Sequence, residues 1–419
     1  MELKTKYQYT NFIYPYLIDE TKYQKYILRL LKYKDFKLKI FEKEKDLDIY
    51  NFFVPKMRDE LFPTFELRGE KLREFGKMSF EEQSKYLARH HMICFEYYME
   101  KNIQGKMIEK EGIFFDIEKI EIISFDTGVC FLCLKAQVDD TDNFSDVLDF
   151  NYRFKFLSSE FSNLKDYEKI KLQTSTFKDV SSINDFIKNV TGINIKNNLI
   201  DEEPIGDSQF YNFSYLCIES DKWNEKNSFS EIQNEFLKYA NVLPSTFISD
   251  FDKENMEQNL HIIERMKYYK TAITKSNCNL MCSGVDPSYY TKLPYQYENQ
   301  YFYTYILALY KKIFLKKLSS EFRYYERIPK TRIKFVKFVN RLWDSEITSD
   351  DDGSLFYKTL HKTLEIDDLY NELETKYNVL YKDLKIEKNT NFFQITIILL
   401  IFSLIINTVN IIFLMYLSK

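Results

Sequence analysis

Apolar and polar positions alternate with a period of two through much of the first half of the chain, the signature of half-buried strands. The alternation runs through KYQYTNFIYPYLI (Lys6–Ile18), IFFDIEKIEIISF (Ile113–Phe125), VCFLCLKAQV (Val129–Val138), FNYRFKFL (Phe150–Leu157) and QFYNFSYLCI (Gln209–Ile218). Asp126-Thr127-Gly128 separates the second and third of these, and predicts a hairpin. FEEQSKYLARHHMICFEYYMEKN (80–102) and SSINDFIKNVTG (181–192) read instead as helices, with Ser181 placed to cap the latter. The expected fold class is α+β: a mixed α/β domain with a largely antiparallel sheet over residues 1–242.

Beyond residue 242 the pattern changes. A loop-rich connection is expected over 243–293, containing SNCNLMCSGVDPSYYTKLP up to Pro294. Alternation then stops, and YQYENQYFYTYILALYKKIFLKKLSSEF (295–322) predicts a long aromatic helix. Pro329 sits where a first helical turn accepts proline and opens a second helix through KTRIKFVKFVNRLWDSEI (330–347). Asp350, Asp351 and Asp352 before Gly353 read as a solvated helix start rather than a calcium loop. Ile366, Leu373 and Leu380 then recur every seventh residue, with Tyr370, Tyr377 and Leu384 four later, forming a stalk seam of coiled-coil type. Neither Pro nor Gly follows Gly353, so one stalk helix is expected from Leu355 to Tyr416. This gives a helical stalk domain over 294–391 and a transmembrane helix over 392–417.

The last segment is read from its charge. No charged residue lies between Asn389 and Ser418, and the apolar part from Phe392 to Leu417 is 26 residues long. As a helix it would extend about 39 Å, against a bilayer core of about 30 Å, enough for one span. Lys382, Lys385 and Lys388 precede it and only Lys419 follows, so the positive-inside rule places the large N-terminal part in the cytoplasm. The expectation is a single-pass protein of a bacterial inner membrane. Thr396, Ser403, Asn407 and Asn410 fall on one stripe of that helix. Side-chain amides facing lipid would be left without partners, so the stripe should face other helices or water. Other copies of the chain would supply them, in a homo-oligomer whose stripe is either a hydrogen-bonded seam or a pore lining.

Composition narrows the function classes. The formal net charge is −4, so there is no overall basic field and no direct nucleic-acid binding is expected. Cys130 and Cys133 lie three apart on a strand, on opposite faces, and neither they nor the Cys278/Cys282 pair has histidines at ligand spacing; reduced thiols and no metal site are expected. His90-His91 reads as a surface pair. No glycine-rich phosphate loop and no nucleophile–base set can be assigned, so the chain is not expected to be an enzyme.

A long stalk entering the membrane after an α/β body resembles the CorA family of cation channels. The motifs that carry the resemblance are FDTGVCFL (125–132), LDFNYRFKFL (148–157), YENQYFYTYILALY (297–310) and NRLWDSEIT (340–348), with ITIILLIFSLIINTVNI (395–411) resembling the family's first span. It covers most of the chain from about Ile113 onward. The family's Gly-Met-Asn signature and second span are not present; the corresponding place reads IIFLMYLSK. The resemblance therefore implies a membrane effector of the type III CRISPR branch, gated by the nucleotide messenger SAM-AMP on the cytosolic domain, in antiviral defence. Its implied partners are further copies of itself, the lipid bilayer and the nucleotide. A magnesium transporter of the CorA family and a tail-anchored scaffold remain alternatives.

Overall fold

The computed structural model describes residues 3–99, 102–106, 113–139, 143–156, 171–173, 181–192, 199–200, 203–204, 209–219, 229–247, 257, 260–324, 327–343, 346–380, 396–400, 403 and 406. One sheet of twelve strands organises them. Its strands are β1 (Thr5–Leu17), β2 (Phe36–Leu38), β3 (Met92–Tyr97), β4 (Ile103–Lys106), β5 (Phe114–Phe125), β6 (Val129–Val138), β7 (Lys171–Gln173) and β8 (Ser181–Ser182), with four more from later in the chain. A separate antiparallel pair, β9 (Leu199–Ile200) and β10 (Glu203–Pro204), precedes those four: β11 (Tyr211–Ile218), β12 (His261–Met266), β13 (Tyr269–Ile273) and β14 (Asn277–Ser283). The order across the sheet is β12-β13-β14-β11-β1-β6-β5-β4-β7-β8, and β5 also carries β3, which in turn pairs with β2. All neighbours are antiparallel except β11 and β14, so the sheet is mixed.

The hairpin at Asp126-Thr127-Gly128 forms as the alternation predicts, joining β5 to β6. Gly128 has φ +80°, and an added Cβ would lie 2.1 Å from the Ile18 carbonyl oxygen, so both the turn and the close approach of β1 require glycine here.

The two faces of the sheet have separate cores. Phe12, Tyr14 and Tyr16 of β1 pack toward the helices Tyr23–Lys32, Phe144–Phe154, Ile183–Thr191 and Gln233–Asn241. Tyr9 and Ile13 of the same strand pack on the opposite face, against the helices of the second half of the chain. On β5, a bulge between Ile117 and Lys119 changes which residues face which side. Phe115 and Ile117 precede it, and Ile120 and Ile122 follow it, all on the first face. The extra residue moves the odd positions after it, including Glu121, Ile123 and Phe125, to the second face.

Three sequence expectations change. FNYRFKFL is not a strand: Phe150 and Phe154 end the helix Phe144–Phe154, which Asn143 caps, and Phe154 packs 4.1 Å from Phe12. Burial of Val147, Asn151 and Phe154 on one helical face outweighs the local alternation. The helix expected over 80–102 stops at Leu87 after a Ser79/Glu82 capping box, and Met92–Tyr97 is β3, drawn into the sheet by pairing with β5. Residues 243–293 supply β12, β13 and β14 rather than a loop-rich connection, so the sheet crosses the boundary expected at residue 242.

The helical layer begins with Ser288–Gln296, passes through a π-helical turn at Tyr297–Tyr301, and continues as the 20-residue helix Phe302–Glu321. Ile328–Phe338 follows, with Pro329 in its first turn, then a second π-helical turn, Val339–Trp343. Asp350 caps Asp351–Thr363 by accepting from the Gly353 backbone N–H at 2.7 Å, as a solvated helix start requires.

The unbroken stalk and its membrane span are corrected. The helix Asp351–Thr363 ends at Leu364, and Glu365 takes φ +57° before a new helix over 366–380. That helix lies on the helical layer of its own chain, with Ile366 and Leu373 completely buried, Tyr370 stacked 3.8 Å from Trp343 and Tyr377 against Phe335. Among the described residues no helix is long and apolar enough to cross a membrane. The longest α-helix among the described residues, Phe302–Glu321, has the length but carries Lys311, Lys312, Lys316, Lys317 and Glu321. The fold is therefore α+β with a large mixed sheet, and the C-terminal transmembrane helix and single-pass placement in an inner membrane are not supported.

Candidate functional site

The second face of the sheet carries an ion-pair network where apolar packing would be expected. Lys119 and Glu121 reach it because of the β5 bulge, and Lys135 reaches it from β6, directly opposite Lys119 in the register. Two ammonium groups in that position repel. Glu298, on the π-helical turn Tyr297–Tyr301, lies 3.4 Å from Lys119 and 2.7 Å from Lys135 and neutralises the pair. Lys39, just after β2, is 2.7 Å from Glu121 and donates to the Tyr303 hydroxyl at 3.0 Å. Lys119 also reaches Glu121 at 3.3 Å, and Lys135 reaches Glu118 at 3.5 Å.

Glu121 is buried, yet its carboxyl is held down to about 2. Burial pushes it upward, and Lys119 and Lys39 together outweigh that effect. Burial likewise works against the charge of Lys39 and Lys119, while Glu121 raises both above the usual lysine range. Glu298 is lowered by Lys119 and Lys135 against the same desolvation. The network thus keeps its charges because each has an opposite neighbour, and it ties the sheet to the start of the long helix.

Beside it opens a cavity of about 320 Å³, lined by Lys37, Glu96, Tyr97, Tyr98, Met99, Asn102, Glu118 and Lys119. Lys37 Nζ sits 3.9 Å above the Tyr98 ring, which is half exposed. A half-exposed aromatic ring, two ammonium groups, two carboxylates and an amide give it a polar lining suited to a ligand that carries both a planar ring and charged groups. Lys119 belongs both to this lining and to the network.

A second polar site lies at the other end of the same strands. His91 is buried, contrary to the surface pair expected of His90-His91, and its Nδ1 lies 2.8 Å from Asp126 in the β5–β6 turn. Asp126 in turn meets Arg341 at 3.1 Å and Lys337 at 3.4 Å. Burial raises the Asp126 carboxyl, but His91, Lys337 and Arg341 bring it below its ordinary value. Nearby, the buried Lys311 donates to the Leu342 carbonyl at 2.8 Å, fixing the second π-helical turn against the long helix.

Of the residues singled out in the sequence, Ile366 and Leu373 are spent inside their own chain, and Leu380 packs at the edge of that core. Thr396 and Ser403 are helical and exposed, whereas Asn407 and Asn410 lie outside the described residues. Cys130 and Cys133 fall on opposite faces of β6, as a strand demands, and all six cysteines are free and buried. Sequence reading missed the whole Lys39/Glu121/Lys119/Glu298/Lys135 network and the His91–Asp126 pair. A signal existed for part of it: Lys119 follows Glu118 directly and so breaks the period-two alternation of the strand.

No family model, no curated protein and no solved structure matches the chain.

Proposed function

We propose that the protein is a ligand-responsive binding protein rather than an enzyme. It takes an anionic nucleotide-class messenger in the cavity beside Lys119 and relays occupancy to the helical layer through Glu298. The single observation that carries this reading is the double role of Lys119, which lines the cavity and holds Glu298 of the π-helical turn. A phosphate near Lys119 competes with Glu298 for the same ammonium group. It thereby biases the turn from which Phe302–Glu321 extends, and a ligand shifts such an equilibrium only by its differential affinity for the two states. π-helical turns are frequent at functional sites because their looser hydrogen bonding admits rearrangement.

The resemblance to CorA-type effectors makes SAM-AMP the first messenger to test, and one of its motifs holds Glu298. The channel half of that resemblance is set aside, because no helix among the described residues is long and apolar enough to cross a membrane.

Calorimetric titration of the full chain with SAM-AMP, adenosine monophosphate and S-adenosylmethionine tests the reading. Saturable binding at one ligand per chain is expected, weakened about tenfold or more in Lys119→Met, as loss of a charge-assisted contact implies. Hydrogen exchange over residues 297–321 should change on binding in the parent and lose that response in Glu298→Gln. Absence of nucleotide binding sinks the ligand assignment; binding without an exchange response sinks the relay.

A further inference from the structure

The His91–Asp126 pair faces a second, smaller cavity of about 90 Å³ that opens between the β5–β6 turn, the long helix and the second π-helical turn. Three buried polar atoms on its walls lack a hydrogen-bond partner: His91 Nε2, the Thr127 hydroxyl and the Tyr310 hydroxyl. The Thr127 hydroxyl interacts with that of Tyr310 without reaching full hydrogen-bond geometry, so both keep the capacity for a further partner. Buried polar groups are almost always satisfied, and three exceptions around one cavity mark a space that something polar fills.

The charges select what fills it. Lys337 and Arg341 stand on the wall with Asp126 between them and His91, and Arg341 Nε also lies 3.4 Å from Glu60. Lys334 is also on the wall and is shared between Glu20 at 3.0 Å and Glu321 at 2.8 Å. Glu20 itself is held by Lys317 at 2.7 Å, so the carboxylates of this wall are already neutralised within the chain. Nδ1 is taken by the Asp126 carboxylate, which leaves Nε2 as the ring nitrogen available to a ligand. A ligand must therefore meet two hydroxyls, one ring nitrogen and two cationic side chains. Phosphate and its monoesters accept on several oxygens and exchange a proton close to neutrality, so they can meet Nε2 with or without its hydrogen, whereas sulfate only accepts.

We propose that this cavity is a phosphate-binding site, distinct from the nucleotide cavity and independent of it. His91 Nε2 and the Thr127 and Tyr310 hydroxyls bind the phosphoryl oxygens, and Arg341 and Lys337 supply the charge.

The test is titration of the full chain with inorganic phosphate, sulfate and adenosine monophosphate at fixed ionic strength, alongside His91→Gln, Tyr310→Phe and Lys45→Gln. Tyr310→Phe removes only a hydroxyl without a partner and is expected to fold like the parent. Lys45 is exposed, pairs with Glu42 three residues before it and lines neither cavity, so it controls for general charge. Phosphate should bind saturably and more tightly than sulfate, with about a tenfold loss in His91→Gln, a several-fold loss in Tyr310→Phe and none in Lys45→Gln. In ¹⁵N-histidine spectra, the His91 ring nitrogens should shift with the same midpoint. Adenosine monophosphate binding that is tighter than inorganic phosphate and equally dependent on His91 identifies an esterified phosphoryl group as the ligand; weaker binding identifies the free ion. No saturable phosphate binding, a preference for sulfate, or binding unchanged in both His91→Gln and Tyr310→Phe overturns the proposal.

Discussion

The two polar sites on the second face of the sheet are built on opposite terms. Around Glu121 the charges are matched: Lys39, Lys119 and Lys135 interleave with Glu118, Glu121 and Glu298, and the hydroxyl of Tyr303 takes a further ammonium hydrogen. Around His91 the charges are paired along the rim, but the wall of the cavity keeps three polar atoms without partners. A completed network of this kind holds elements in place, because removal of one member strands the others. An incomplete one is costly by itself and makes sense as a site whose missing partner comes from outside. Both sites rest on a π-helical turn, Glu298 in one and Arg341 in the other, so each joins the sheet to a different part of the helical layer.

The sharpest way to break this comparison is Glu121→Leu. It leaves Lys39 and Lys119 beside an apolar side chain, and breaking a buried pair in this way costs about 3–5 kcal/mol. Urea denaturation should register that loss. A change below about 1 kcal/mol would mean that Lys39 and Lys119 find water instead, and that the network is not a structural tie.

The acid limb of stability gives the next effect. The Glu121 carboxyl lies near 2 in the folded protein against an ordinary 4.5, so its contribution is fully present above the ordinary value. As the pH falls through the folded value that contribution is lost, and the depressed Glu298 and Asp126 act in the same direction. Unfolding free energy measured from about pH 5 to about pH 2 should decline steeply in the parent and less steeply in Glu121→Gln.

Glu298→Gln is smaller. It restores the repulsion between the facing Lys119 and Lys135 but keeps a polar group between them, for a loss of about 1–3 kcal/mol by the same denaturation measurement.

The smallest effects sharpen the comparison most. Tyr303→Phe deletes a hydroxyl that accepts from Lys39 and should cost about 1–2 kcal/mol. Tyr310→Phe deletes one without a partner and should stay within about 0.5 kcal/mol of the parent. Equal losses in the two variants would show that the Tyr310 hydroxyl is satisfied within the chain.

Much of the local architecture was legible. Alternation marked β1, β5, β6 and β11, the Asp-Thr-Gly turn marked the hairpin, and Pro329 marked a helix start, since each depends on neighbours within a few residues. The misreadings arose where local pattern and long-range pairing disagree. FNYRFKFL alternates like a strand, but its helical face fits against Phe12. MICFEY continues a helical stretch in sequence, yet the free edge of β5 takes it as a strand.

The heptad of Ile366, Leu373 and Leu380 shows the same division. The sequence determined that this segment is helical and has one apolar stripe, because spacing alone sets both. Which surface the stripe covers was decided by the turn at Glu365, which brings the helix back onto Trp343 and Phe335 of its own chain instead of onto another copy. The ion-pair network was decided in the same way. A single bulged residue in β5 moves Lys119 and Glu121 to the face where Lys39, Lys135 and Glu298 arrive from far along the chain. Period-two alternation cannot register that shift, because a bulge is defined by the partner strand against which the extra residue is counted.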